Sequence, residues 1–396
     1  MHSPKKIVQH MIKQIVYNYS TIKTIGKKEG KYDMNNKLPL DYAKHACDTM
    51  MRIPAEELPP VGGFHYHQGV FLMGMSKVYN ICKEKKYYDY IKCWVDSVTD
   101  TNGMPIKYHK EHFDDLMPGM LLYGLYDEEG DEKYKKTLEN LVSEVKGWKK
   151  NKKGGFWHKQ DITPNQVWLD GLFMYGPLVV NYAYRFNSPE YFDIVNEQLN
   201  IMWDNMRDAE TGLLKHAWDD SLEEEWADDD TGLSAEFWGR AIGWYGVALA
   251  EIYEYMPKKY QDNIADKLKA LISALAKFQK AENGLWYQVV NKNEKEDNWP
   301  ELSCSCLFIY TIAKALKFGI VDDTYEKNIE QGYLGVISKL KVDETGGLLV
   351  GDVCIGTGVG DYQFYIERPV RDNDLHGVGA FLYMVSQVEE LRRIKM

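Results

Sequence analysis

The stretch Gln166-Val167-Trp168-Leu169-Asp170-Gly171-Leu172-Phe173-Met174 surrounds one carboxylate with an indole, a phenyl ring and leucines. A carboxylate walled by apolar groups loses hydration, which penalises its charged form and raises its pKa toward that of a general acid at neutral pH. The simpler role for Asp170 is a helix N-cap or first-turn carboxylate. A second acid stands in a comparable setting, His112-Phe113-Asp114-Asp115-Leu116-Met117-Pro118-Gly119. Two carboxylates sharing a cleft, with their pKa values driven apart, are common apparatus for cleaving glycosidic bonds. Adjacent acids ahead of a proline also serve as caps, so both readings stand for Asp114.

Cations and rings recur at corresponding places. His158 and Lys159 follow Phe156-Trp157, and His216 follows Lys215. The run Glu236-Phe237-Trp238-Gly239-Arg240-Ala241-Ile242-Gly243-Trp244 spaces Trp238, Arg240 and Trp244 two and four residues apart. On a helix Arg240 and Trp244 share a face, so a guanidinium and an indole can address one ligand. The competing arrangement pairs Arg240 with Glu236 and packs both indoles. The 11 Trp and 28 Tyr exceed what a core alone takes, and their flat apolar faces suit sugar rings.

Other chemistries lack their motifs. Gly356-Thr357-Gly358-Val359-Gly360 does not have dinucleotide-binding spacing, and the chain carries no GxSxG, HExxH or P-loop. Asp228-Asp229-Asp230 reads as a solvated turn. The 396 residues include 48 Lys and Arg against 59 Asp and Glu, a net charge of −11 with no basic run, so neither nucleic acid nor a membrane is expected as a partner. Apolar runs stay short of the ~18 residues that span a bilayer, and the first twenty residues mix charge with apolar groups, so a cytoplasmic location is expected. Six cysteines without CxxC spacing read as buried reduced thiols.

The elements that must position these residues repeat. A glycine turn followed by a short extended piece occurs at Gly103, Gly154-Gly155, Gly212, Gly284 and Gly346-Gly347. Apolar segments at 66–82, 114–126, 170–184, 236–255, 303–317 and 375–391 read as buried helices. Amphipathic segments such as 131–150, 189–207, 258–281 and 322–339 read as an outer layer. Six inner helices alternating with six outer ones describe an all-α (α/α)6 barrel, a closed toroid of six hairpins whose mouth loops gather at one end. An open solenoid would need polar terminal repeats, which this chain lacks. One domain over residues 1–396 is expected, with 1–40 as a lead-in, working as a monomer or weak homo-oligomer.

The Asp170 and Arg240 motifs, with Tyr66-His67-Gln68-Gly69-Val70-Phe71, resemble the unsaturated rhamnogalacturonyl hydrolases of glycoside hydrolase family 105, related to the unsaturated glucuronyl hydrolases of family 88. The likeness runs from about Tyr42 to Leu391. It implies the same barrel and removal of a 4,5-unsaturated uronic acid from the nonreducing end of lyase-generated oligosaccharides, without a metal or organic cofactor. It further implies Asp170 as general acid and base, Asp114 as the second carboxylate, and Tyr66, His158, Lys159, Trp168, His216, Trp238, Arg240 and Trp244 lining the sugar site. The sequence departs from the family pattern at Glu301-Leu302-Ser303, where Glu-Thr-Ser is usual, which opens a question about that wall. The loop 351–374, with Tyr362, Tyr365, Arg368 and Arg371, is expected on the aglycone side. A conventional inverting glycosidase, a sugar epimerase using His158 and His216, and a noncatalytic oligosaccharide binder are the alternatives on the same scaffold.

Overall fold

The computed structural model describes residues 37–396; most of the lead-in expected over 1–40 lies outside the described residues. In chain order the helices are α1 (Pro39–Met50), α2 (Tyr66–Cys82), α3 (Lys85–Val98), α4 (Leu121–Glu129), α5 (Glu132–Glu144), α6 (Gly171–Arg185) and α7 (Glu190–Met206). They continue as α8 (Gly239–Tyr255), α9 (Lys258–Phe278), α10 (Leu302–Lys317), α11 (Glu326–Lys339), the short α12 (Tyr362–Ile366) and α13 (Leu375–Lys395).

The helices sort by composition into two layers. In α6, α8 and α10 the residues are buried almost all round, whereas α5 and α9 bury one stripe such as Tyr134, Leu138 and Leu141 and turn lysines and glutamates outward. Around the inner ring α2 packs on the 113–129 segment, which packs on α6, then α8, α10 and α13 follow, and α13 packs back on α2. The ring therefore closes, and the open-solenoid alternative is set aside.

Neighbouring inner helices run the same way. Gly239 meets Cys304, Gly243 meets Leu307 and Gly246 meets Thr311 along α8 and α10, while Val70 meets Gly379 and Leu382 meets Gly74 along α2 and α13. Their N-termini gather at one end. A Cβ on Gly379 would sit 2.5 Å from the Val70 side chain, so the glycine sets how closely the first and last inner helices approach.

All five repeated glycines have positive φ, from 72° to 89°. Each turns the chain back after an outer helix, as in the antiparallel bridges Thr99↔Pro105, Lys150↔Phe156 and Arg207↔Leu214 and the pairing of Lys341–Val342 with Leu348–Leu349. At Gly284 the requirement is twofold, because φ is +72° and a Cβ would lie 2.2 Å from the Gln331 carbonyl.

Two expectations need correction. The helix expected over 114–126 is broken: Phe113–Asp115 and Met117–Met120 are 3-10 turns and only Leu121–Glu129 is α-helical. Pro118 supplies no N–H and crowds the preceding turn, which disfavours a continuous α-helix there. The thiols are also not uniformly buried, since Cys93 is exposed and Cys82 half-buried, while Cys47, Cys304, Cys306 and Cys354 are in the core. Among the described residues no helix is long and apolar enough to cross a membrane.

Candidate active site

Short extended pieces carry the polar groups to the N-terminal end of the ring. Strand β1 (Gln166–Trp168) pairs antiparallel with β2 (Ala217–Asp219), and Leu169 N–H donates to the His216 carbonyl at 2.8 Å. This places His216 beside Asp170, the residue before α6. His158 N–H donates to the Gln166 carbonyl at 2.8 Å, which brings its ring over Trp168, and the bridge His112↔Lys159 brings Lys159 to Asp114.

Asp114 is 6% exposed and fully engaged. Lys159 Nζ lies 3.0 Å from its Oδ2 and His158 Nε2 lies 3.7 Å from its Oδ1. Burial alone would raise its pKa, but His158, Lys159 and His65 hold the carboxyl well below the usual range, so it is ionised at neutral pH. Asp115 faces elsewhere, accepting from the backbone N–H of His109 and contacting that ring's Nδ1, both at 2.8 Å. The geometry thus separates the two adjacent acids, with Asp114 the one in the cluster.

Asp170 is the opposite case. It occupies the N-cap position of α6 without making a side-chain cap bond, so the capping role is not realised. Its Oδ1 has no hydrogen-bond partner, and His216 Nε2 lies 3.8 Å away. Burial, and next the negative charge of Asp114, push its pKa up to about 7, against the opposing pull of Arg240 and Lys159. One acid is held ionised, and the other is half protonated near neutrality.

The two histidines are neutral. Burial brings His158 down to about 4 and His216 well below its ordinary value. His216 Nδ1 lies 2.6 Å from the Tyr365 hydroxyl, which itself accepts from Gly360 N–H. The phenol proton is therefore available to Nδ1, leaving the ring proton on Nε2, which makes no hydrogen bond and lies 3.8 Å from Asp170 Oδ1. His158 stacks on Trp168 with ring centres 4.6 Å apart and planes 6° from parallel. His216 sits 4.5 Å from the Trp238 ring.

Arg240 does not pair with Glu236, as the competing arrangement would have it. Glu236 is taken by Lys292, while the Arg240 guanidinium donates to the carbonyls of Cys354 and Ile355 at 2.6 and 2.7 Å and lies 3.8 Å from Glu301. Its Cζ is 4.5 Å from the Trp238 ring. Trp244 lies one turn deeper, 1% exposed and stacked on Phe173 at 4.5 Å, so it packs under the residues nearer the opening. Tyr66 is half-buried at the start of α2, stacked on His67 at 4.2 Å, and burial raises its hydroxyl pKa.

The wall in question at Glu301 is intact. Glu301 accepts from Ser303 Oγ and the backbone N–H groups of Cys304 and Cys354, so it caps α10 while facing Arg240. In the loop 351–374 Arg368 donates to the Gly356 carbonyl, and Tyr362 anchors the loop outward by donating to Asp297. Tyr365 instead turns inward to His216. Sequence reasoning missed this partner, and also His65, whose ring is held neutral by burial and whose charged form Asp114 favours. The only signal for His65 was its place beside Tyr66.

A closed ring of parallel inner helices with a split pair of aspartates at one end is the architecture of an (α/α)6-barrel glycoside hydrolase. The chain belongs to glycosyl hydrolase family 88, whose family model matches residues 42–392. A solved glycoside hydrolase from family 105 of C. acetobutylicum is 33% identical, superposes with a TM-score of 0.84, and is matched over 88% of this chain and 99% of its own. The unsaturated rhamnogalacturonyl hydrolase YesR of Bacillus subtilis is 25% identical over 333 residues, 82% of this chain and 89% of that protein. An unsaturated glucuronyl hydrolase specific for heparin shares the fold at 16% identity and a TM-score of 0.69, over 90% of this chain and 98% of its own.

Proposed function

We propose that the protein removes a 4,5-unsaturated uronic acid from the nonreducing end of oligosaccharides by hydrating its double bond, with galacturonyl-rhamnose from rhamnogalacturonan as the preferred substrate. The observation that carries this reading is the pairing of a half-protonated, unpartnered Asp170 with an ionised, ion-paired Asp114. The rhamnose preference is supported by the Bacillus subtilis relative named for that substrate.

The ring of such a uronate is a vinyl ether with an electron-rich C4. Protonated Asp170 delivers H⁺ to C4, and positive charge develops over C5 and the ring oxygen. Asp114, ionised and fixed by Lys159, stabilises that charge. The carboxylate left on Asp170 then deprotonates a water that adds to C5, which returns the proton to Asp170. The hemiketal opens and the aglycone leaves without direct displacement at the anomeric carbon. His216 Nε2 stands 3.8 Å from Asp170, partly exposed Trp168 supplies a flat face for sugar, and buried Trp238 packs behind His216. Lys159 supplies cationic charge beside the substrate carboxylate, and Arg240 holds Glu301 and the 354–355 backbone in the neighbouring wall.

The chain acts on this reading as one domain, in the cytoplasm, as a monomer or weak homo-oligomer. The test is incubation with lyase-digested rhamnogalacturonan while following the ultraviolet absorbance of the conjugated double bond. Loss of that absorbance is expected with wild type and not with Asp170→Asn. Release of reducing sugar from saturated oligosaccharides with no absorbance change would point to a conventional glycosidase instead.

A further inference from the structure

The seam where the ring closes carries a second polar cluster, outside the residues used above. His67 lies in the first turn of α2, Asp374 is the N-cap residue of α13, and His376 lies in its first turn. One ligand-type atom from each lies within 4.8 Å of the others. Asp374 is 7% exposed and His376 is fully buried.

Neighbouring groups fix the tautomers of both rings. His376 Nε2 is 3.0 Å from the Cys354 carbonyl, which can only accept, so Nε2 carries the proton and Nδ1 keeps its lone pair. That Nδ1 sits 2.8 Å from Asp374 Oδ1 and has no other partner. A buried nitrogen lone pair facing a carboxylate oxygen is repulsive unless a proton or a metal cation is shared by them. On the other ring, His65 Nδ1 accepts from the backbone N–H of His67, so in its 3.1 Å contact with His67 Nδ1 the proton belongs to His67. His67 therefore keeps its lone pair on Nε2.

Imidazoles whose second nitrogen donates to a fixed neighbour are the ordinary state of metal-ligating histidines. Of the neighbouring cations, Arg371 is exposed and donates to the other Asp374 oxygen at 3.5 Å, and Arg240 is held by Glu301 and two carbonyls. We infer that His67, Asp374 and His376 bind one divalent first-row transition-metal ion, of the zinc and cobalt class, that staples the first inner helix to the last. Two imidazoles and one carboxylate suit such an ion and leave at least one position for water. The site is structural and independent of the hydrolytic reading, so either can fail without the other.

The test uses the full chain after chelator treatment, titrated with Co²⁺ and followed by visible d–d absorption, then with Zn²⁺ by calorimetry and thermal melting. One equivalent binding at micromolar affinity or tighter, with a melting temperature several degrees higher, is expected. His67→Gln and Asp374→Asn should each weaken binding at least ~10-fold, the scale seen when metal sites lose supporting groups. Absence of stoichiometric binding by wild type would overturn the inference, even if a variant fails to fold. Equal binding by folded variants would also overturn it, because the metal would then sit elsewhere.

Discussion

The inner helices bury charge at both ends, with opposite results. Toward their C-terminal ends Glu251 of α8 accepts from Lys77 of α2 at 3.1 Å, from Lys314 of α10 at 2.7 Å, and from the Tyr310 hydroxyl. Lys314 also reaches Glu254 at 3.0 Å. Burial opposes the Glu251 charge, but the two lysines hold it well below the ordinary range. At the N-terminal end Asp170, largely shut in, has an oxygen with no partner and is pushed up to about 7. Burial is common to both acids, so the partners decide. A saturated cluster fixes helix against helix, and an unsaturated one keeps a proton available for transfer.

The contrast can be broken from either side. Asp170→Asn should lower turnover by ~10² to 10⁴-fold, the usual contribution of a positioned acid-base group, while leaving the denaturation midpoint unchanged or higher. Glu251→Gln should do the reverse. Two buried ammonium groups lose their shared partner, and unfolding by denaturant should show a loss of about 3–5 kcal/mol, with the activity of the folded fraction retained.

Smaller changes sharpen the electrostatics. Because catalysis needs protonated Asp170, the rate should fall as pH rises through about 7, and ionised Asp114 should keep the acidic side flat to well below neutrality. Asp114→Asn removes the charge that raises Asp170, so beyond its loss of rate the alkaline limb should move to lower pH. Lys159→Met removes a charge that lowers Asp170, so the limb should move to higher pH. Opposite displacements in the two pH profiles are the check. Tyr365→Phe should cost least, about 1 kcal/mol of transition-state stabilisation or a few-fold in kcat, through the lost hydrogen bond to His216.

How much of this the sequence carries depends on the range of the contact. The five glycine turns and the inner helices are written locally, in a repeated phrase and in segments apolar on every face. Asp114, Asp170 and their histidines stand at corresponding points of successive repeats, which made their convergence readable. The break at Pro118 is also a local signal, one that helix periodicity overrode. Arg240 is different, because its partners Glu301, Cys354 and Ile355 lie on other hairpins and no spacing within α8 points to them. The same holds for Tyr365, 149 residues from His216, and for His67 with Asp374 and His376, which meet only because the last helix closes on the first.

The central claim is that Asp170 gives its proton to a ring carbon. Turnover of an unsaturated galacturonyl disaccharide in D₂O, sampled early and read by NMR, tests it most directly. One deuterium on a single face of C4 of the released uronate is the predicted result, absent with Asp170→Asn. A released sugar that still carries its double bond, with no deuterium at C4, would contradict it.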